Sequence, residues 1–137
     1  MVILVDTNVV LDFLVVRKPY FDNAKKIFLM CAEDKIKGYI AFHSIPDMYY
    51  ILHRDYTSEA RRKMLARVCM VLQVTAASHD KVCNAISRED FKDFEDCLQD
   101  ECAKEIDADY IITRNVRDFN YSDVKAVTPE EFLELVE

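Results

Sequence analysis

Glycine is almost missing from this chain, with one residue (Gly38) in 137, and proline is scarce at three. Flexible linkers and disordered tracts need a bias toward Gly, Ser, Pro or Gln, so neither is expected and the whole chain reads as one folding unit, a single domain over 1–137. The length leaves no room for a second domain, and 51% hydrophobic content suffices for one core. Long apolar runs are missing too. Val2–Val5 is apolar only as far as Asp6, against about 18 residues for a membrane span, and no basic segment precedes it. It reads as a strand, and no membrane association is expected. The five cysteines (Cys31, Cys69, Cys83, Cys97, Cys102) are odd in number and contain no CxxC pair. They read as reduced core thiols of a cytoplasmic protein. Surplus positive charge is also lacking. A formal net charge of −7 argues against a general nucleic-acid coat, which draws on excess Lys and Arg. It does not exclude a nuclease, because acids gathered at a metal site inflate the negative count and the bound cation reverses the local sign.

What is present alternates between two periodicities. Continuous apolar, β-prone runs at 2–5, 39–42, 72–75 and 110–113, with a weaker one at 125–127, have the character of buried parallel strands. Between them lie helical patterns. Val9–Val15 is apolar with Asp12 as its only charge, and Phe21, Ala24, Phe28 and Cys31 recur at helical spacing. Ser44-Ile-Pro-Asp47 has the composition of a helix start. Ala60, Met64, Val68 and Val71 line one face of a helix whose outer face carries Arg61, Arg62, Lys63 and Arg67. Ser78 caps a brief helix, Phe91, Phe94, Leu98 and Cys102 define the next, and Thr128-Pro-Glu-Glu131 opens the last. Strands alternating with helices predict an α/β fold, a parallel sheet covered on both faces.

In such sheets ligands collect beyond the carboxyl ends of the strands. Asp6 ends the first strand, Asp47 opens the helix after the second, and Asp118 follows the fourth by five residues. Asp96 lies early on the helix before the fourth strand. Carboxylates brought to one point resist joint ionisation unless a cation compensates them. With oxygen donors and no His or Cys cluster, that cation is Mg²⁺ or Mn²⁺ rather than Zn²⁺. It would activate a water for attack on a phosphodiester. Each acid also has a plainer reading. Asp6 before Thr7-Asn8 suits a turn, and Asp47 is equally a helix cap three residues after Ser44. Asp93 and Asp100, one turn either side of Asp96, suit a solvated face. His43, His53 and His79 show no ligand spacing. The basic stripe at Arg61, Arg62 and Arg67 is either a solvated face or a track for a phosphate backbone.

Three segments carry a resemblance: Ile3-Leu-Val-Asp-Thr-Asn8, Asp93-Phe-Glu-Asp-Cys-Leu-Gln99 and Ile112-Thr-Arg-Asn-Val-Arg-Asp-Phe119, with Ala108-Asp-Tyr-Ile111 between the last two. In this order they resemble PIN domains, and in particular the toxin nucleases of VapBC-type toxin–antitoxin pairs, from residue 2 to about 135. The resemblance implies a three-layer α/β/α sandwich with a mainly parallel sheet of four to five strands. It also implies divalent-metal-dependent cleavage of RNA, a small antitoxin as partner, and the homodimer that small relatives commonly form. Asp6, Asp96 and Asp118 fall on the family's acidic positions, with Thr113 and Asn115 on the polar positions beside the last. Thr7 and Asn8 would hold the geometry from behind, with Asp93 next to Asp96. Arg114 and Arg117 flank the acids as RNA contacts. Two departures stand out. The second acidic position is usually Glu in the family and here is Asp47, one methylene shorter. Asn115 stands where many relatives have an acid, with Asp118 one turn later.

Two other classes fit parts of the pattern. A non-catalytic PIN-like scaffold binding RNA or protein is favoured by the shortened second acid and opposed by Asp6, Asp96 and Asp118. An aspartyl-nucleophile phosphatase would use Asp6 covalently, but its DxDxT motif is broken here by Asn8, with no Thr following.

Overall fold

The computed structural model describes residues 1–137. Five parallel strands, β1 (Val2–Val5), β2 (Lys37–Ile40), β3 (Gln73–Val74), β4 (Tyr110–Ile112) and β5 (Ala126–Val127), form one sheet in the order β3-β2-β1-β4-β5. Seven helices flank it: α1 (Thr7–Leu14), α2 (Phe21–Ala32), α3 (Ser44–Ile51), α4 (Ser58–Val71), α5 (His79–Ser87), α6 (Phe94–Glu105) and α7 (Pro129–Val136). A 3₁₀ turn at Val116–Phe119 follows β4. This is the three-layer α/β/α arrangement that the sequence predicts.

The central strand shows why its sequence is apolar at every position. Ile3 and Val5 face the larger core, built with α1, α2, α3, α4 and α7, while Leu4 faces the smaller core with Cys102 and Ala103 of α6. All three strand residues are fully buried. With both faces of a strand covered there is no polar side to alternate with.

Strand order explains the position of the site. The chain adds β2 and β3 on one side of β1 and then returns to place β4 and β5 on the other. Right-handed crossovers therefore put α1 to α4 on one face and α5 and α6 on the opposite one. The point of reversal lies between β1 and β4, and a crevice opens there at the strands' carboxyl ends. The backbone N–H of Asp6 bridges that junction, donating to the Ile112 carbonyl at 2.8 Å.

Several local expectations change. The second strand starts at Lys37, so Gly38 lies inside it. A Cβ there would come within 2.6 Å of both Cys31 Sγ and Leu72 Cδ2, so only glycine fits between α2 and the residue that ends α4. The sixth helix begins at Phe94, not at Phe91. Asp93 is its cap, accepting from the N–H groups of Glu95 (2.8 Å) and Asp96 (3.2 Å), and Phe91 packs in the preceding loop against Phe119 and under the Arg88 guanidinium. Asp100 is not on a solvated face. It is fully buried and bonded to Arg88 and Ser122, while Asp93 is exposed. All five cysteines are free, but Cys69 and Cys83 are exposed, and only Cys31, Cys97 and Cys102 are core thiols. Ser78 and the Thr128–Glu131 capping box stand where the sequence places them. No helix is long and apolar enough to cross a membrane.

Candidate functional site

Asp6 leaves β1 as the cap of α1 and is 5% exposed, held by three donors. Its Oδ1 accepts from the Thr7 N–H (2.7 Å) and from Gln99 Nε2 (2.5 Å), and its Oδ2 accepts from Thr113 Oγ1 (2.7 Å). Thr113 also accepts from the Asn115 N–H at 3.0 Å, which fixes the start of the loop leading to Asp118. Thr7 Oγ1 donates to Ser44 Oγ at 2.7 Å, tying the first turn of α1 to that of α3. Strands β1 and β4 and helices α1, α3 and α6 thus meet around one carboxylate.

The cleft above it encloses about 390 Å³, and Asp6, Asn8, Asp47, Glu95, Asp96 and Gln99 contribute to its walls. Asp96 also lines a second groove of about 420 Å³, with Asp93, Arg117, Asp118 and Tyr121 around it. Asp96 is therefore the wall shared by two hollows, with Asp6 lining one and Asp118 the other. The four expected acids ring this region, but no three acidic, histidine or cysteine side chains converge on a single point at ligand distance.

The acids nevertheless act on one another. Burial lifts the Asp6 carboxyl above its ordinary range, against the pull of its bonds to Gln99, Thr113 and Thr7, and Asp118 adds to the rise. Asp96 is pushed up to about 7, by burial first and then by the negative charges of Asp93, Asp6, Asp118 and Glu95. Glu95 is raised by burial first and then by the negative charges of Asp47, Asp93 and Asp6. Carboxylates that resist joint ionisation in this way are what a divalent cation relieves.

The donor set suits a hard cation. It consists of carboxylates and amide oxygens, and the amide oxygens Asn8 Oδ1 and Gln99 Oε1 are buried without a hydrogen-bond partner. Buried oxygens are rarely left so unless an ion or water meets them. Gln99 cannot turn its amide round to relieve Oε1 without losing its bond to Asp6.

Asp47 is not a helix cap. Helix α3 begins at Ser44 with His43 in the capping position and no side-chain cap, and the Ser44 hydroxyl is taken by Thr7. Asp47 instead lines the cleft with Asp6, Glu95 and Asp96. Of the basic residues, Arg114 is committed to Asp12 (2.7 Å) and stacks on Tyr20 (4.1 Å), and Arg61 stacks on Tyr49 (4.0 Å). Arg62, Arg67 and Arg117 are exposed.

Gln99, Glu95, Ser44 and His43 belong to this site but carry no strong sequence signal. For Gln99 the available signal is its position three residues after Asp96, on a stretch of α6 buried continuously from Cys97 to Ala103. His43, whose Nε2 lies 3.2 Å from the Glu95 carbonyl, joins the base of α3 to the first turn of α6.

A family model described as the PIN domain matches residues 2–117. Among solved structures, VapBC2 from Rickettsia felis, bound to a DNA fragment from its promoter, superposes with a TM-score of 0.70 at 14% identity, covering 93% of this chain and 98% of that one. A toxin–antitoxin complex from Klebsiella pneumoniae gives 0.67 at 21% identity, with coverage of 92% and 96%. VapC20 from Mycobacterium tuberculosis, a sarcin–ricin-loop-cleaving toxin, gives 0.63 at 17% identity, with coverage of 80% and 86%. No curated protein matches the sequence significantly.

Proposed function

The chain belongs to the PIN domain family, and from that premise we propose that it is a single-domain ribonuclease that hydrolyses RNA phosphodiesters with Mg²⁺ or Mn²⁺, as the toxin of a toxin–antitoxin pair. The observation that carries this reading is the ring of Asp6, Asp96 and Asp118 around the β1/β4 crevice, with the unpartnered Gln99 oxygen beside it. A hard divalent cation, when bound, supplies Lewis acidity toward water and neutralises charge on the scissile phosphate. Asp6, Asp96 and Asp118 would hold it, with Asp47 of α3 lining the same cleft. Thr7, Thr113 and Gln99 fix the Asp6 carboxylate in advance, so that it does not reorganise when the substrate arrives. Asp93 caps the first turn of α6, the Asn115 N–H holds the Thr113 hydroxyl in place, and Asn8 lines the cleft beside Asp6. Arg117, exposed on the rim of the groove that holds Asp118, offers a contact to an RNA phosphate.

The toxin role and a small antitoxin partner are supported by the fold shared with VapBC2 and with the Klebsiella complex, both solved as toxin–antitoxin assemblies. RNA as substrate is supported by the fold shared with VapC20. One observation favours a second reading, a non-catalytic scaffold: the acids ring the cleft without converging at ligand distance. The two readings part on a simple assay. Purified chain is incubated with mixed RNA in Mn²⁺, in chelator, and as Asp6→Asn in Mn²⁺. Cleavage in the first condition alone is expected. Equal cleavage in all three rejects the mechanism, and no cleavage in any of them favours the scaffold.

A further inference from the structure

A hollow of about 470 Å³, larger than either of the two around Asp96, opens where the loop after β4 meets the starts of α2 and α7. The Tyr20 ring, the amide side chains of Asn23 and Asn115, the Arg114 guanidinium, Thr128 and Glu130 contribute to its walls. Arg114 Cζ lies 4.1 Å from the centre of the Tyr20 ring. Two hydrogen bonds to Asp12, whose side chain is 1% exposed, fix the guanidinium there (Nε to Oδ2 at 2.7 Å, Nη2 to Oδ1 at 3.3 Å). Tyr20 is nevertheless 41% exposed. A ring backed by a fixed cation and still open to this extent is a rigid stacking surface on the wall of the hollow.

The chemistry of the walls selects among ligands. The charge of Arg114 is taken up by Asp12, and Glu130 adds a negative charge, so the hollow is poorly suited to a phosphate. It suits a flat, neutral ring with donors and acceptors along its edge. The two asparagine amides offer both, and Thr128 Oγ1, which accepts from the Glu131 N–H at 3.1 Å, keeps its own proton to donate. The hollow also shares a short loop with the carboxylates. Thr113, whose hydroxyl holds Asp6, accepts from the N–H of Asn115, and Asp118, three residues further on, lines the groove beside Asp96. Three residues span at most about 11 Å.

We propose that this hollow binds a nucleobase of the RNA strand whose phosphate lies among the carboxylates, with Tyr20 as the stacking surface, Arg114 as its backing, and Asn23, Asn115 and Thr128 on the base edge. The inference rests on the ribonuclease reading for the nature of the strand, and on a separate cavity for the site. Arg114, expected from the sequence to contact RNA, serves it through Tyr20 and not through a phosphate. A stack away from the reacting phosphate is equally strong before and during reaction, so it contributes to RNA binding and not to the chemical step.

The chain contains no tryptophan, so Tyr20→Trp puts a single indole in the hollow. The whole chain carrying Tyr20→Trp, in an Asp96→Asn background that keeps the RNA intact, is titrated in Mn²⁺ with a short single-stranded RNA of mixed sequence, with the same sugar–phosphate chain lacking bases, and with free adenosine and guanosine monophosphates. Cleavage of mixed RNA is timed in parallel for wild type, Tyr20→Phe and Tyr20→Ala, each shown by its melting curve to be folded. Indole emission should be quenched by the RNA, and not by the base-free chain or by the mononucleotides at the same concentration. Tyr20→Ala should cleave about tenfold more slowly at limiting RNA, the scale of one lost base–aromatic stack, and within about twofold of wild type at saturating RNA. Tyr20→Phe, which keeps the stack, should match wild type at both. Unquenched emission, equal quenching by the base-free chain or the mononucleotides, or undiminished cleavage by Tyr20→Ala at limiting RNA overturns the proposal, and the ribonuclease reading stands as long as wild type cleaves. Quenching by the RNA alone, with no cleavage by any form, keeps the base site and rejects the ribonuclease reading.

Discussion

Gln99 Nε2 donates to Asp6 Oδ1 at 2.5 Å, joining the carboxyl end of β1 to α6 across 93 positions of sequence. The acceptor is almost wholly buried, so no water replaces this donor if it is lost. Gln99→Leu, close in volume, should therefore destabilise the fold by about 1.5–3 kcal/mol, the range for hydrogen bonds to a charged group. Urea unfolding measures it, and Mn²⁺ affinity should fall as well because Asp6 is freed to turn. A variant as stable as wild type would mean that Asp6 does not depend on this bond.

Arg88 is a second point of dependence. Its Nη1 lies 2.6 Å from Asp100 and 2.8 Å from Glu101, carboxylates with side chains 0% and 6% exposed. Arg88→Met leaves both without their main counter-charge in the interior, and the expected loss is about 3–5 kcal/mol. Arg88 Nη2 also donates to the Tyr121 carbonyl at 3.3 Å, on the groove that carries Asp118. Cleavage should accordingly decline even under conditions where the variant remains folded. Unfolding curves and cleavage rates in parallel check both expectations.

Gly38 is confined by packing. A methyl group there meets Cys31 Sγ and Leu72 Cδ2 at 2.6 Å, both in the core, so Gly38→Ala should cost about 1–3 kcal/mol through overpacking. The site is remote from α6, and Mn²⁺ affinity of the folded variant should not change. Calorimetry and urea unfolding on the same sample separate the two.

The titration of Asp96 gives a pH dependence with a definite sign. In the metal-free fold its carboxyl group is raised from 3.8 to about 7, chiefly by burial and then by Asp93, Asp6, Asp118 and Glu95. Between those values the folded chain keeps a proton that the unfolded chain has released. The resulting stabilisation is fully present below the lower value and is lost as pH rises through the upper one. Asp96→Asn has no such group. In chelator, the melting temperature of Asp96→Asn minus that of wild type should grow from about pH 5 to about pH 8. Mn²⁺ should remove the trend in wild type by favouring the ionised form. A flat difference would show that Asp96 titrates normally.

These dependences also show how far the sequence could be read. The sheet was legible because strands buried on both faces have nothing to alternate with, so Val2–Val5 and Tyr110–Ile112 stand out as apolar runs. Asp6, at the end of one such run, was legible as a residue of the crevice at the strand ends for the same reason. The start of α6 was not. Phe91 lies in helical register with Phe94, and only the tertiary partners Phe119 and Arg88 explain its position in a loop. Asp100 misled in the opposite way, since a helix wheel assigns it to solvent and the arginine that buries it lies on the loop after α5. Glu95 and Gln99 were in view within the motif around Asp96, but their roles depend on what α3 and β1 place opposite them. Periodicity along one element carries no information about that.

Crystals of the chain soaked in MnCl₂ test most directly whether a divalent cation binds among these carboxylates, through anomalous scattering at the manganese edge. An anomalous peak is expected in the cleft, with oxygens of Asp96 and of at least one of Asp6, Asp118 and Asp47 within about 2–2.5 Å or joined to it through one water. The Gln99 amide should still be turned so that Nε2 meets Asp6. A peak only on the outer surface, or none at a manganese concentration that supports RNA cleavage, would contradict it.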